Sequence, residues 1–191
     1  MQKKANLSVQ KIVATGMMSA LAVVLMLVVR FSILPGAKFL EYDMGDIPVI
    51  FSSLFLGTPS SLFVLVLVSL IQSLTVSAAS SWQGFVMHLL STGCYILILK
   101  LFTHKKDSLK YLIAGVCCAT VALTLIMIPL NLIFTPLYLN TTVEAVLELM
   151  LPAIIPFNLL KGVINSIITV LMYHPLKEIL SKSKMLLPNK Q

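Results

Sequence analysis

Apolar residues run through this chain in long uninterrupted blocks: Val9 to Val29, Leu62 to Val76, Phe85 to Leu101, Tyr111 to Phe134, and Leu151 to Met172, the last interrupted by Lys161. Blocks of this kind approach the roughly 20 residues that a helix needs to cross a bilayer. A shorter block, Ile47 to Leu56, falls short of the ~30 Å hydrocarbon core unless it borrows flanking residues or the bilayer thins. A re-entrant or broken segment is the other reading of that block. With no water to satisfy backbone groups inside lipid, helices are the expected form throughout.

Charge decides between the two readings, because basic residues collect in short cytoplasmic loops. Lys3, Lys4 and Lys11 place the N-terminus inside, and Lys100, Lys105, Lys106 and Lys110 belong on the same side. An even number of crossings must separate them, so Ile47 to Leu56 counts as a span and Gly57-Thr58-Pro59 as a tight cytoplasmic hairpin. Lys177, Lys182, Lys184 and Lys190 then mark a cytoplasmic C-terminus. Arg30, Lys38, Glu41, Asp43, Asp46, Glu144 and Glu148 fall outside. The predicted fold is an all-α integral membrane protein, a single domain over 1–191 with six transmembrane helices at 9–30, 46–57, 59–76, 83–103, 110–134 and 151–174. His174-Pro175 is expected to end the last span, since the residue before proline disfavours the α region. The basic start, Met-Gln-Lys-Lys, resembles a signal peptide, but no small-residue cleavage site follows, so the first helix is expected to stay.

Composition agrees: 58% hydrophobic residues against 11% charged, and a mean hydropathy of +0.98, are far from a soluble domain. The net charge of +7 does not imply nucleic acid, because the basic residues lie between apolar blocks and not on one solvated face. Cys94, Cys117 and Cys118 have no metal-ligand spacing, and adjacent cysteines rarely bond to each other. No metal and no cofactor is expected. Phosphate-loop, His-Glu-x-x-His and Gly-x-Ser-x-Gly motifs are missing, and His88, His104 and His174 are widely separated, so no catalytic residue is assigned.

Two external connections, Phe31 to Asp46 and Thr135 to Glu148, are long for so small a protein. Such loops form lids or binding segments, or merely bridge distant helix ends. Polar residues inside spans are costly, about 2.5–3.5 kcal/mol for a central Lys, which makes Lys161 a functional candidate. Asn158, Lys161 and Asn165 fall at i, i+3 and i+7 and share one helical face. Lys161 either faces a pocket or snorkels to an interface about 8 Å away. Asn131, after Pro129, lies at a similar depth to Asn158. Two carboxamides and an ammonium suit a ligand with alternating hydrogen-bond donors and acceptors. No mid-span carboxylate is expected to pair with Lys161, which argues against an ion-coupled pump. In the first span Ala14, Gly16 and Ala20 present small side chains, Gly16 and Ala20 at small-xxx-small spacing. That face serves either a partner helix or packing within the bundle.

The segments Phe39-Leu40-Glu41-Tyr42-Asp43-Met44-Gly45-Asp46-Ile47-Pro48 and Pro156-Phe157-Asn158-Leu159-Leu160-Lys161-Gly162-Val163-Ile164-Asn165-Ser166 resemble the substrate-binding S-component of energy-coupling factor vitamin transporters, in the riboflavin-specific subfamily. The resemblance runs almost end to end. It implies a bacterial plasma-membrane subunit that captures riboflavin from outside and passes it inward when docked on a transmembrane coupling subunit with two ATPases. It implies no ATPase or other enzymatic activity in this chain. By the resemblance, Asn131, Asn158 and Lys161 read the flavin ring, Leu40, Glu41, Tyr42, Asp43 and Gly84 line or close the pocket, and Ala14, Gly16 and Ala20 dock the coupling subunit. Such subunits show alanines at four-residue spacing, where this chain reads Gly16-xxx-Ala20 with Met18 interrupting Ala14 to Ala22. Phe39, Phe85 and Phe157 are candidates to cover the apolar end of the ring, and Glu41, Asp43 or Gln83 to meet the ribityl hydroxyls. The alternatives are an S-component for another small vitamin or precursor, a solitary small-molecule transporter, and a small intramembrane enzyme, for which no converging acid, histidine and serine set is found.

Overall fold

The structure, a computed structural model, describes residues 2–37, 39–78, 80–104 and 108–182. Lys38, Lys105, Lys106, Lys184 and Lys190, used above to assign sides, lie outside the described residues. Helix α1, Gln2–Val28, leads into a short antiparallel ribbon of β1, Arg30–Ser32, and β2, Glu41–Asp43. Then follow α2, Asp46–Phe55, and α3, Thr58–Leu74, both shorter than a full span, and the long α4, Ser81–Thr103, and α5, Leu109–Leu139. The chain closes with α6, Val143–Leu149, a π-helical turn, Met150–Ile154, and α7, Ile155–Lys182. The helices at Val9–Val28, Trp82–Thr103, Leu109–Leu139 and Val143–Leu180 are long and apolar enough to cross a membrane.

Local chemistry explains the joints. Gly57, at φ 94°, supplies the left-handed conformation between α2 and α3, which a residue without Cβ adopts freely. Pro59 falls in the first turn of α3, where its missing N–H has no intrahelical partner to lose. Asn140 caps α5 in the αL conformation (φ 49°), its N–H bonded to the Pro136 carbonyl, and the Thr142 hydroxyl accepts from the Ala145 N–H to start α6. Pro156 lacks an N–H and its ring conflicts with the carbonyl four residues back. The ladder absorbs one extra residue there, and the Ile155 N–H reaches back to the Met150 carbonyl.

Three expectations change. The connection Phe31 to Asp46 is not a plain loop: Phe31 pairs with Tyr42 across the ribbon, their rings 5.5 Å apart, and Arg30 forms an ion pair with Glu41. Most of Thr135 to Glu148 is helical, because α5 runs through Pro136 to Leu139 and α6 begins at Val143. Helix α7 continues through His174-Pro175 to Lys182; a proline removes one rung of the ladder without necessarily ending the helix.

Two cores result. The larger draws Ala22 and Met26 from α1, Val49 and Ile50 from α2, Val64, Leu65 and Val68 from α3, and residues of α4 and α5 such as Tyr95, Leu99, Leu112 and Leu123. A smaller one sets the ribbon loop (Ala37, Leu40, Tyr42) against Val146, Met150, Ile154 and Phe157. Gly45 and Gly162 are points of close approach. A Cβ on Gly45 would sit 2.9 Å from both Asp43 Oδ1 and Met26 Cβ, and one on Gly162 would sit 2.6 Å from Thr120 Cγ2.

Candidate functional site: a polar cavity beneath the ribbon

Between the two cores lies a cavity of about 150 Å³. Its roof is Phe39, Leu40, Glu41 and Asp43 from the ribbon loop; one wall is Ser69, Gln72 and Ser73 of α3 with Gly84, Met87, His88 and Ser91 of α4. The facing wall is Leu123, Met127, Asn131 and Tyr138 of α5 with Phe157, Asn158 and Lys161 of α7. Phe39 meets Tyr138 edge-on, ring centres 6.5 Å apart, tying the roof to α5. Gly84 leaves room for the Ser80 side chain one turn earlier, which a Cβ would strike.

Of the residues assigned from sequence, Leu40, Glu41, Asp43, Gly84, Asn131, Asn158 and Lys161 thus surround one cavity. Tyr42 does not line it. Period-two alternation turns its side chain away from those of Glu41 and Asp43, and its hydroxyl donates to Asn165 Oδ1 at 3.0 Å. Burial, reinforced by the Asp46 carboxylate, pushes the Tyr42 phenol up to about 12, so it stays a donor at physiological pH. Phe39 and Phe157 line the cavity and Phe85 does not; Glu41 and Asp43 do, Gln83 does not.

The expectation that no carboxylate meets Lys161 is overturned. Asp46, in the first turn of α2 and 1% exposed, lies 2.9 Å from the Lys161 ammonium through Oδ2. Its Oδ1 accepts from His88 Nε2 at 2.7 Å and Thr92 Oγ1 at 2.9 Å, and Asn165 Nδ2 approaches Oδ2 at 3.4 Å. The carboxylate's roughly four acceptor positions are therefore filled, and its charge also suits the positive end of the α2 dipole. Ser69 Oγ lies within hydrogen-bond distance of His88 Nδ1, at 3.2 Å. Lys161 does not snorkel; it is held at the cavity edge in a neutralised pair. Asp46, His88, Thr92 and Gln72 were missed in the sequence. The i, i+4, i+8 series Gly84, His88, Thr92 on one face of α4 was a signal for two of them.

Counting what each polar group has left shows what the facing wall offers. Asn158 Nδ2 donates once, to the Ile154 carbonyl at 2.8 Å, leaving one N–H and the Oδ1 acceptor. Asn131 donates to the Met127 carbonyl and accepts from Thr135 Oγ1, leaving one N–H and one lone pair. Lys161 keeps donors beyond the one engaged by Asp46. This is a set of fixed donors with interleaved acceptors beside apolar Phe157, Met127 and Leu123; against the expectation from sequence, an acid, a histidine and a serine also converge at this cavity, as Asp46, His88 and Ser69.

The family model described as "ECF transporter, substrate-specific component" matches residues 10–173. The chain belongs to that family. This S-component is a multi-pass protein of the bacterial cell membrane. It is 33% identical over 166 residues to the riboflavin transporter RibU of Streptococcus thermophilus, covering 83% of this chain and 79% of that protein. To the riboflavin transporter FmnP of Bacillus subtilis it is 27% identical over 179 residues, 90% of this chain and 94% of that one. A solved structure of the S component of a bacterial ECF transporter superposes with a TM-score of 0.76 at 27% identity, covering 94% of this chain and 99% of its own.

The small residues of α1 divide between two faces. Gly16 and Ala20 point outward, and nothing lies within 4 Å of a Cβ placed on Gly16. Ala14 is buried inside the bundle. Positions 14 and 16 stand roughly 200° apart around a helix, so Ala14 cannot join an outward docking surface with Gly16.

Proposed function

We propose that this chain is a riboflavin-binding S-component that captures the vitamin from outside and delivers it inward with a transmembrane coupling subunit and two ATPases, having no ATPase of its own. The observation that carries the reading is the pair of half-satisfied carboxamides, Asn131 and Asn158, beside the Lys161 ammonium over an apolar floor. The pyrimidine edge of a flavin presents carbonyl acceptors on either side of an N–H donor, and these residues hold the complementary groups. The names of the relatives support the same ligand. Leu40, Glu41, Asp43 and Gly84 bound the pocket in this reading, while Tyr42 supports Asn165 behind it.

Six crossings with both termini in the cytoplasm accompany the proposal, in the spans expected above. The charge distribution supports them, with Lys11, Lys100 and Lys110 toward one side and Glu41 and Glu144 toward the other. At ten residues, α2 extends only about 15 Å, so the ribbon and its cavity would be sunk into the outer half of the bilayer. Gly16 and Ala20 are proposed to receive the coupling subunit.

The test is the visible absorption of protein purified in detergent after incubation with riboflavin, followed by titration of Trp82 fluorescence. Trp82 is 56% exposed and packs edge-on against Phe134 at 5.7 Å, on the helix that carries Asn131. The expected result is about one flavin per chain, lost in Asn158→Ala and Lys161→Met. A colourless protein whose fluorescence ignores riboflavin would refute the assignment.

A further inference from the structure

Two lysines from different helices meet at the α2–α3 hairpin, at the far end of α2 from the ribbon. Lys100 of α4 donates to the Ser53 carbonyl at 3.1 Å, and a Cβ built on Gly57 would lie 4.0 Å from Lys11 Nζ of α1. Their charges repel each other across the joint, and among the described residues no carboxylate pairs with either. An ammonium has three donors, so Lys100 keeps two after Ser53 is served. The joint adds positive character of its own. Gly57 gives α3 no side-chain cap, so the N–H groups of Thr58 and Ser60 leave the first turn without a helical partner, at the positive end of a 17-residue helix. In the last turn of α2, Ser52 and Ser53 Oγ are buried with no hydrogen-bond partner among the described residues. Two ammonium groups gathered without a counter-charge raise the free energy of the fold, and an anion between them reverses the sign of that effect.

We propose that Lys11 and Lys100, at the α2–α3 hairpin, hold the phosphate of an anionic phospholipid of the cytoplasmic leaflet. Position selects a lipid over a soluble anion. Lys11 lies nine residues into α1, about 14 Å from its start, so the hairpin stops well short of the end of that helix. Both lysines fall at the margins of apolar stretches, Val9–Val28 and Trp82–Thr103, the level at which headgroups meet hydrocarbon. In neighbouring turns of the same helices, Ile12, Val13, Phe63, Leu97 and Leu101 are exposed and give acyl chains an apolar surface. Basic pockets between helices at the cytoplasmic boundary suit anionic headgroups for this combination of charge and depth. The assignment rests on the membrane orientation proposed above and is independent of the flavin reading.

The experiment extracts the full chain from vesicles of equal phosphatidylglycerol and phosphatidylcholine and reads the lipids it retains by native mass spectrometry. The unaltered chain should retain phosphatidylglycerol in preference. Lys11→Gln and Lys100→Gln should each lower that preference about fivefold. Lys177→Gln, which removes the same charge from α7 beside the Tyr173 ring, should change it by less than about twofold. Thermal unfolding reports that the variants are folded; Lys11 is exposed, so its variant decides the matter even if Lys100→Gln unfolds through loss of the Ser53 contact. Equal retention of the two lipids by the unaltered chain overturns the site, and so does an equal loss of preference in all three variants, which would mean surface charge at large. Displacement of phosphatidylglycerol by millimolar inorganic phosphate would give the lysines to a soluble anion instead. Lost assembly with the coupling subunit in Lys11→Gln at unchanged lipid retention would give them to an acidic segment of that partner.

Discussion

Replacing Asp46 by Asn preserves its shape and an acceptor for Thr92 while removing one charge. Lys161, its ion-pair partner at 2.9 Å, would then be left as an uncompensated ammonium away from water. Removing one member of a buried pair costs about 3–5 kcal/mol. For a chain of this size that lowers Tm by about 6–20 °C, at roughly 2–4 °C per kcal/mol. Adding Lys161→Met to Asp46→Asn removes the stranded charge, and replacing a whole buried pair by apolar groups is often close to neutral. The double variant should therefore be more stable than Asp46→Asn alone. Thermal unfolding in detergent of the unaltered protein, both single variants and the double gives the coupling energy directly. Were the single effects to add to the double within about 0.5 kcal/mol, the two groups would not be coupled, and the account of Asp46 as the group that holds Lys161 in place would be refuted.

Two further outcomes follow from close contacts and from their lack. Gly45→Ala places a methyl group 2.9 Å from Asp43 Oδ1 and Met26 Cβ and 3.2 Å from the Ala22 carbonyl, so the ribbon must shift; a loss of about 1–3 kcal/mol from overpacking should accompany weaker riboflavin binding, measured by thermal unfolding and titration of the same sample. A Cβ on Gly16 meets no atom within 4 Å and the residue is exposed, so in Gly16→Leu Tm and riboflavin Kd should stay unchanged, while ATP-driven uptake by vesicles containing the coupling subunit and ATPases should fall; unchanged uptake would remove Gly16 from the docking surface.

Which features could be read from the sequence depended on how far apart their causes lie. Apolar blocks are local, and the helices fall on them. The shared face of Asn158, Lys161 and Asn165 follows from helical spacing alone, and the structure sets all three within reach of the cavity or of Asp46. The Asp46–Lys161 pair was not legible, because charge counting grouped Asp46 with the external acidic residues and nothing local marks it as turning inward. The ribbon was invisible because three-residue strands carry no usable periodicity. Ala14 was grouped with Gly16 by residue size, whereas angle around the helix separates them.

The π-helical turn at Met150–Ile154 acts as a phase shifter. By holding one residue more than an α-helical ladder would, it rotates everything before it by roughly 100° relative to everything after it. With that offset, Val146 and Met150 meet the ribbon loop while Asn158 and Lys161, further along, face the cavity. Deleting one residue of the turn would remove that offset, against the retained Pro156 ring, and force a choice between seating the loop and aiming the carboxamide. Chain length here is thus under a constraint as strict as that on any side chain, although only one sense of error, a frame shift of the helix against itself, would reveal it.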